Sequence, residues 1–218
     1  MRIGMRLQTT AKRAGLGALL SAALSCPGPS QAADAAGWTA QDLMQTLAQN
    51  KTSRASFVEK KYLAALDRPL ESSGELIYVA PGRLEKRTVK PKPETLVIDE
   101  GTLTIERNGT RRSIALSSWP EVAAFTESIR ATLAGDYASL SRDYRISVDG
   151  TREQWRLVLL PSDPAIATRV SRILVEGRRE RIASIEILQA EGNRSVLTMG
   201  TAVPLNPPAP DTAAAPPR

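Results

Sequence analysis

Three carboxylates, Glu85, Asp99 and Glu100, are the side chains best suited by type to acid–base work. A carboxylate pair across a cleft suffices for glycoside hydrolysis, and a serine–lysine pair for acyl transfer, both without histidine. The spacing supports neither. The sequence holds no Gly-x-Ser-x-Gly elbow and no Ser-x-x-Lys run, and Asp99-Glu100 directly precede Gly101, where acids act as turn formers. Composition removes most of the remaining repertoire. The 218-residue chain has no histidine, which excludes His-based triads, imidazole proton relays and His metal sites. Its one cysteine, Cys26, cannot build a zinc cluster or a disulfide framework. No phosphate-cradling glycine loop is present. The expectation is a protein that is not an enzyme and that uses no cofactor and no metal.

The two ends set the compartment. Arg2, Arg6, Lys12 and Arg13 precede the apolar run Ala14 to Leu24, too short to span a bilayer, and Ser30-Gln31-Ala32 offers small residues at a peptidase site. Residues 1–32 therefore read as a signal peptide and the chain as a soluble periplasmic protein. The formal net charge is +6, and loss of this leader would reduce it to about +2. Nucleic-acid binding thus has no compositional support; the basic cluster Arg178, Arg179 and Arg181 reads as a solvated hairpin turn beside Gly177. Cys26 offers an alternative, lipid attachment after Ala23-Leu24-Ser25, with the leucine one step later than a typical lipobox places it. Residues 204–218, dense in proline and alanine, read as an extended disordered tail. Between the ends, 33–203 is long enough for one domain with a real core or cavity.

That domain opens with an amphipathic helix capped by Thr39 and Asp42, with Leu43, Leu47 and Met44 or Ala40 on one face. The period then changes to two. Strands are expected over 54–63, 72–80, 83–90, 94–99, 102–107 and 111–116, with turns at Pro81-Gly82, Glu100-Gly101 and Asn108-Gly109. Leu76 and Tyr78 on one face and Ile77 and Val79 on the other mean that helices cover the sheet or that it curls round an interior. A second helix follows, with Ser118 as N-cap, Pro120 in its first turn, a stripe of Val122, Phe125 or Thr126, Ile129 and Leu133, and Gly135 at its end. Five more strands are expected over 144–148, 154–159, 169–175, 182–188 and 195–199, with turns at Asp149-Gly150, Gly177 and Gly192. About eleven strands are enough to close or nearly close a barrel.

The order of these features resembles the LolA family of periplasmic lipoprotein carriers: amphipathic helix, Ala55-Ser56-Phe57 entering the first strand, Gly74-Glu75-Leu76 with Tyr78, Pro81, a strand ending Asp99-Glu100-Gly101, then an interrupting helix. The resemblance implies a mainly β fold with α, a half-open, strongly curved antiparallel barrel with helices across its mouth. It also implies a monomer that holds the acyl chains of a lipoprotein, or a glycolipid or polyene lipid, between an inner-membrane exporter and an outer-membrane acceptor. In the family an arginine directly precedes the second strand's proline and holds the lid; here that position is Ala80, with Arg83 nearby. This departure points to a divergent relative with another hydrophobic cargo. On the carrier reading, cavity or lid contacts are expected at Phe57, Leu76, Tyr78, Leu84, Leu96, Ile98, Leu103, Leu116, Phe125, Ile129 and Trp155. The alternative implied by the resemblance is a membrane-anchored acceptor, or a protein-docking module, lipidated at Cys26.

Overall fold

Two tight turns show how local sequence builds the sheet. Glu100 and Gly101 adopt φ of 44° and 73°, and Asn108 and Gly109 adopt 53° and 72°. Paired positive φ matches the twist of flanking strands, so each dipeptide folds its neighbours into a hairpin. In the computed structural model, which describes residues 38–118 and 120–201, repeated hairpins of this kind generate one antiparallel sheet. Its strands are β1 (Thr52–Tyr62), β2 (Leu70–Val79), β3 (Arg83–Lys90), β4 (Glu94–Asp99), β5 (Thr102–Arg107), β6 (Thr110–Ala115), β7 (Tyr144–Gly150), β8 (Trp155–Pro161), β9 (Val170–Arg178), β10 (Arg181–Gln189) and β11 (Arg194–Met199).

The order β6-β5-β4-β3-β2-β1-β11-β10-β9-β8-β7 places the last strand beside the first and leaves β6 and β7 as edges. The sheet is curved and does not close. Because β6 and β7 are consecutive in sequence yet lie at opposite edges, the connection between them must cross the whole face. It does so as a 3-10 turn (Leu116–Ser118), α2 (Pro120–Ala134) and α3 (Tyr137–Asp143). The other helices are α1 (Ala40–Leu47), before the sheet, and α4 (Pro164–Ala167), between β8 and β9.

Pairing fixes which side chains share the face under these helices. Ala55 stands opposite Leu76, Ser53 opposite Tyr78, Tyr78 opposite Leu84, Leu84 opposite Ile98, and Ile98 opposite Leu103. On the other half, Leu157, Leu159, Ile173, Val175 and Ile185 bury against Leu43, Met44 and Leu47 of α1, with Ala131 of α2 and Leu140 of α3. α1 owes its start to the expected cap: the Thr39 side chain accepts from the Asp42 amide, and the Asp42 carboxylate accepts from the Thr39 amide. α2 ends at Gly135, whose φ of +68° and close approach to the Met44 carbonyl leave no room for a side chain.

Three expectations are corrected. Ser118 ends the 3-10 turn and stands one residue too early to cap α2, because Pro120, lacking an N–H, takes the first helical position. Gly177 makes no turn: it lies inside β9, and the hairpin bends at Arg179 and Glu180, with Arg179 at φ 52°. The turn assigned to Asp149-Gly150 comes later, since β7 runs through Gly150 and β8 begins at Trp155. The short helices α3 and α4 lie in segments for which no element was expected. The signal peptide with Cys26, the tail 204–218 and the side chains of Val122 and Phe125 lie outside the described residues.

Gly177 is required for packing. A Cβ there would sit 2.2 Å from the Trp155 ring and 2.4 Å from the Arg181 carbonyl oxygen. Trp155 is 2% exposed and donates its indole N–H to the Arg179 carbonyl at 2.8 Å. Gly177→Ala is expected to cost about 2–3 kcal/mol by overpacking this corner. Urea unfolding followed by tryptophan emission measures it, and an unchanged midpoint would show that the strand yields instead.

Candidate functional site

Beneath α2 the inner face carries a second apolar cluster of Phe57, Leu76, Tyr78 and Leu84, with Ala80, Ile98, Ile129, Leu133, Leu197 and Met199 packed around it. Next to it is a cavity of about 150 Å³ whose apolar walls are Leu47, Ala55, Leu76, Tyr78, Leu133 and Met199, and whose polar side includes Asn50, Ser53 and Arg181. The Asn50 side-chain amide donates to the Glu180 carbonyl at 2.6 Å and ties the end of α1 to the β9–β10 turn.

Away from the helices the same face continues across β4, β5 and β6. In register, Ile98, Leu103 and Ile114 form one row and Leu96 and Ile105 the next. All five are only half-buried, and at the end of these strands the Leu116 amide, on the turn that enters α2, bonds the Gly101 carbonyl. The result is a half-buried apolar trough that begins at the cavity wall with Tyr78 and runs through Leu84 to the β6 edge.

α2 divides its faces between two neighbours. Ser128, Ala131 and Thr132 are buried and small, a composition that lets helices approach closely. Ile129 and Leu133 pack on the sheet, and Ile129 touches both apolar clusters. Arg130 adds a polar tie. Its Nη1 donates to the Pro81 carbonyl at 3.1 Å in the β2–β3 turn, its Nε donates to Glu127 at 2.7 Å, and its other nitrogen reaches Glu127 and Asp136. Asp136 is held below the usual carboxylate range, first by the Ser139 hydroxyl, then by the Ser139 amide, with Arg130 adding to it. The tie joins the helix to the turn after Ala80, the position at which an arginine was expected from the family.

Of the eleven expected contacts, Phe57, Leu76, Tyr78, Leu84, Ile98 and Ile129 meet in the cluster beneath α2. Leu96 and Leu103 lie in the trough. Leu116 is buried in the 3-10 turn, its amide bonded to the Gly101 carbonyl at 2.8 Å. Trp155 belongs to the other cluster and does not line the cavity. The cavity contacts Leu47, Ala55, Leu133 and Met199 were not singled out for the site. The period-two pattern placed Ala55 and Met199 on strands, but nothing local could show which helix would roof them.

One polar group interrupts the inner face. Glu59, 7% exposed, accepts from Lys86 Nζ in a close ion pair, from Ser195 Oγ at 2.7 Å and from Ser72 Oγ at 3.3 Å, with Lys61 Nζ at 3.6 Å. Lys86 Nζ also lies 5.0 Å from the centre of the Phe57 ring. Burial pushes the Glu59 carboxyl up, and the hydrogen bond and charge of Lys86, the Ser195 hydroxyl and Lys61 more than offset it, so the net shift is downward from 4.5. A depressed folded-state value means that Glu59 stabilises the fold above pH about 4.5 and that this contribution is lost as pH falls through the lower folded value. Lys86→Met is expected to cost about 2 kcal/mol by removing the closer of the two cations that pair with the buried Glu59 carboxylate, and adding Glu59→Gln to recover most of it. Urea unfolding of the four members of this cycle measures both, and Glu59→Gln alone should flatten the acid limb of stability.

The family model described as "Outer membrane lipoprotein carrier protein LolA-like" matches residues 31–215. No curated protein matches the chain. Among solved structures, a LolA superfamily protein from Nitrosomonas europaea is 11% identical, with a TM-score of 0.43 over 78% of this chain and 95% of that one. A chain of the Pseudomonas aeruginosa MucA/MucB complex is 15% identical, with a TM-score of 0.45 over 81% of this chain and 61% of that one. An outer membrane lipoprotein-sorting protein domain from Vibrio parahaemolyticus is 10% identical, with a TM-score of 0.40 over 75% and 91%. With its family model matched over most of its length, the chain belongs to the LolA-like family of outer membrane lipoprotein carrier proteins.

Proposed function

We propose that this protein is a soluble periplasmic carrier that shields the acyl chain of a lipoprotein, or of another lipid-like cargo, on the inner face of its sheet. The observation that carries this reading is the continuity of the apolar surface from the cavity under α2 to the half-buried trough of Leu96, Ile98, Leu103, Ile105 and Ile114. Each buried methylene gains about 0.8 kcal/mol, so a long chain lying there is held without any specific polar contact.

The cavity volume bears on how cargo enters. At about 150 Å³ it matches an engineered apolar cavity that takes benzene and falls below the usual range for ligand pockets. A long chain therefore lies mainly in the trough with one end under α2, or α2 moves away from the sheet to admit more of it. Handover to an acceptor needs only a competing apolar surface, and exporter and acceptor proteins at the two membranes complete the route.

Native mass spectrometry of the detergent-free protein, followed by lipid analysis, tests the reading; a co-purifying acylated or polyene species near one per chain supports it. Leu103→Asp puts a charge at a half-buried position outside the fully buried core, and with folding checked by Tm is expected to weaken binding of a fluorescent fatty acid about tenfold or more. Binding equal to the unsubstituted protein would remove the trough from the site. Arg130→Gln removes the tie to Pro81 and is expected to speed probe release about tenfold, measured by stopped-flow transfer to acceptor vesicles. An unchanged release rate would leave α2 without a gating role.

A further inference from the structure

Among the described residues, five large apolar side chains are left exposed: Val58 at 45%, Tyr62 at 37%, Leu66 at 46%, Leu70 at 52% and Val89 at 59%. They are not scattered. Tyr62 ends β1, Leu66 lies in the β1–β2 connection, Leu70 begins β2 and Val89 stands next to the end of β3. Chain order and register bring Tyr62, Leu66, Leu70 and Val89 to one end of the strands, the edge formed by the β1–β2 and β3–β4 connections, with Val58 further in: Lys61 faces Leu70 on the inner face, Val58 and Tyr62 lie on the other, and Ser73 faces Lys90. Because β3 stops pairing at Ser73, residues 70–72 of β2 and the connection beyond them project past their neighbour.

Cations surround this apolar edge. Arg68 in the connection, Lys90 and Lys92 at the β3–β4 turn and Arg111 at the β5–β6 turn are exposed, and none has an ion-pair partner among the described residues. Arg194 lies over the Tyr62 ring at 4.4 Å. Several nearby acids are already engaged: Glu71 with Lys60, Glu59 with Lys61 and Lys86, and Glu94 with Arg107. Asp67 and Glu106 remain as opposing charges.

We infer that this edge docks on an anionic lipid bilayer, with Leu66 and Leu70 entering the headgroup boundary and Arg68, Lys90, Lys92 and Arg111 against lipid phosphates. Single apolar anchors set among flexible cations are the chemistry of interfacial membrane binding. A protein partner fits less well: the apolar side chains line no groove, and lysine is depleted from protein–protein interfaces. Docking here would place the end of the inner face that carries Lys61, Glu94 and Arg107 toward the lipid.

Vesicle flotation of the purified chain tests this, using phosphatidylethanolamine and phosphatidylglycerol in roughly a three-to-one ratio against pure phosphatidylcholine. The unsubstituted protein is expected to float with the anionic vesicles, to lose them as salt rises, and to ignore the neutral ones. Leu66→Ser with Leu70→Ser, and separately Arg68→Glu with Lys92→Glu, should each reduce partitioning about tenfold or more. Both pairs lie on the surface, so Tm and binding of a soluble fatty-acid probe should stay unchanged; that control separates this edge from the cargo trough. Absence of flotation by the unsubstituted protein, equal flotation with neutral vesicles, or flotation of either variant at the unsubstituted level would each overturn the inference.

Discussion

The constraint on which this structure depends is a connection. β6 and β7 follow one another in sequence but occupy opposite edges of an eleven-stranded sheet, so the chain between them must travel across a face. Crossing as helix satisfies the backbone hydrogen bonds internally, which an irregular segment laid over an apolar sheet could not do. The crossing also selects which face becomes interior. Once α2 and α3 lie on it, α1 packs beside them, and the apolar residues of β8, β9 and β10 acquire a complete cover. Toward the β4–β6 end the apolar residues of the same face stay half-buried. One apolar face thus has a fully buried half and a half-buried one.

This asymmetry separates stability from binding. The covered half holds the fully buried set, including Leu43, Leu157, Leu159 and Ala131 at 0% exposure, and substitutions there damage folding. The other half holds apolar side chains that are only half-buried, among them Leu96, Leu103 and Ile105. α2 stands between them, and Ile129 touches both clusters. Any movement of α2 away from the trough must therefore strain its packing on α1 and α3, where small residues have set a close approach. Glu59 and Lys86 mark a further boundary: on the inner face a buried ion pair resists occupation by a hydrocarbon chain more than the neighbouring leucines do.

Most strands were legible in the sequence because turn chemistry pins their ends. The segments 83–90, 94–99 and 102–107 were located as they stand, since Glu100-Gly101 and Asn108-Gly109 leave no freedom of register. Glycine misled twice: Gly150 ends β7 and does not turn the chain at once. Gly177 resembled a turn residue beside charged neighbours, but its absent side chain serves the Trp155 ring inside a strand, a contact made by another part of the chain. α3 and α4 went unread because each is too short for helical periodicity to accumulate; their signals are single caps, the Asp136 and Asp163 side chains accepting from nearby amides. The site was partly legible for a related reason. Alternation assigns Phe57, Leu76 and Tyr78 to one face, whereas the roof over them, Leu47 and Leu133, depends on tertiary placement.

The replacement of the family arginine by Ala80 can be understood from the same geometry. Ala80 packs against the cluster beneath α2, where a guanidinium would need its own partners in an apolar setting. The polar tie between helix and turn is still made, but from the other side: Arg130 on α2 donates to the carbonyl of Pro81, and Glu127 and Asp136 hold its orientation. A hydrogen bond from a charged donor is worth about 1.5–3 kcal/mol at best, and this one, partly exposed, belongs at the low end. Burying a single Leu or Ile side chain contributes a comparable amount, about 1.5–3 kcal/mol, and α2 places both Ile129 and Leu133 on the sheet. What holds α2 in place is therefore mainly apolar contact, with Arg130 fixing its register over the turn. On the proposed carrier reading, a helix held that way would yield to whatever offers its apolar residues an equivalent surface, which a hydrocarbon chain would do and a polar ligand would not.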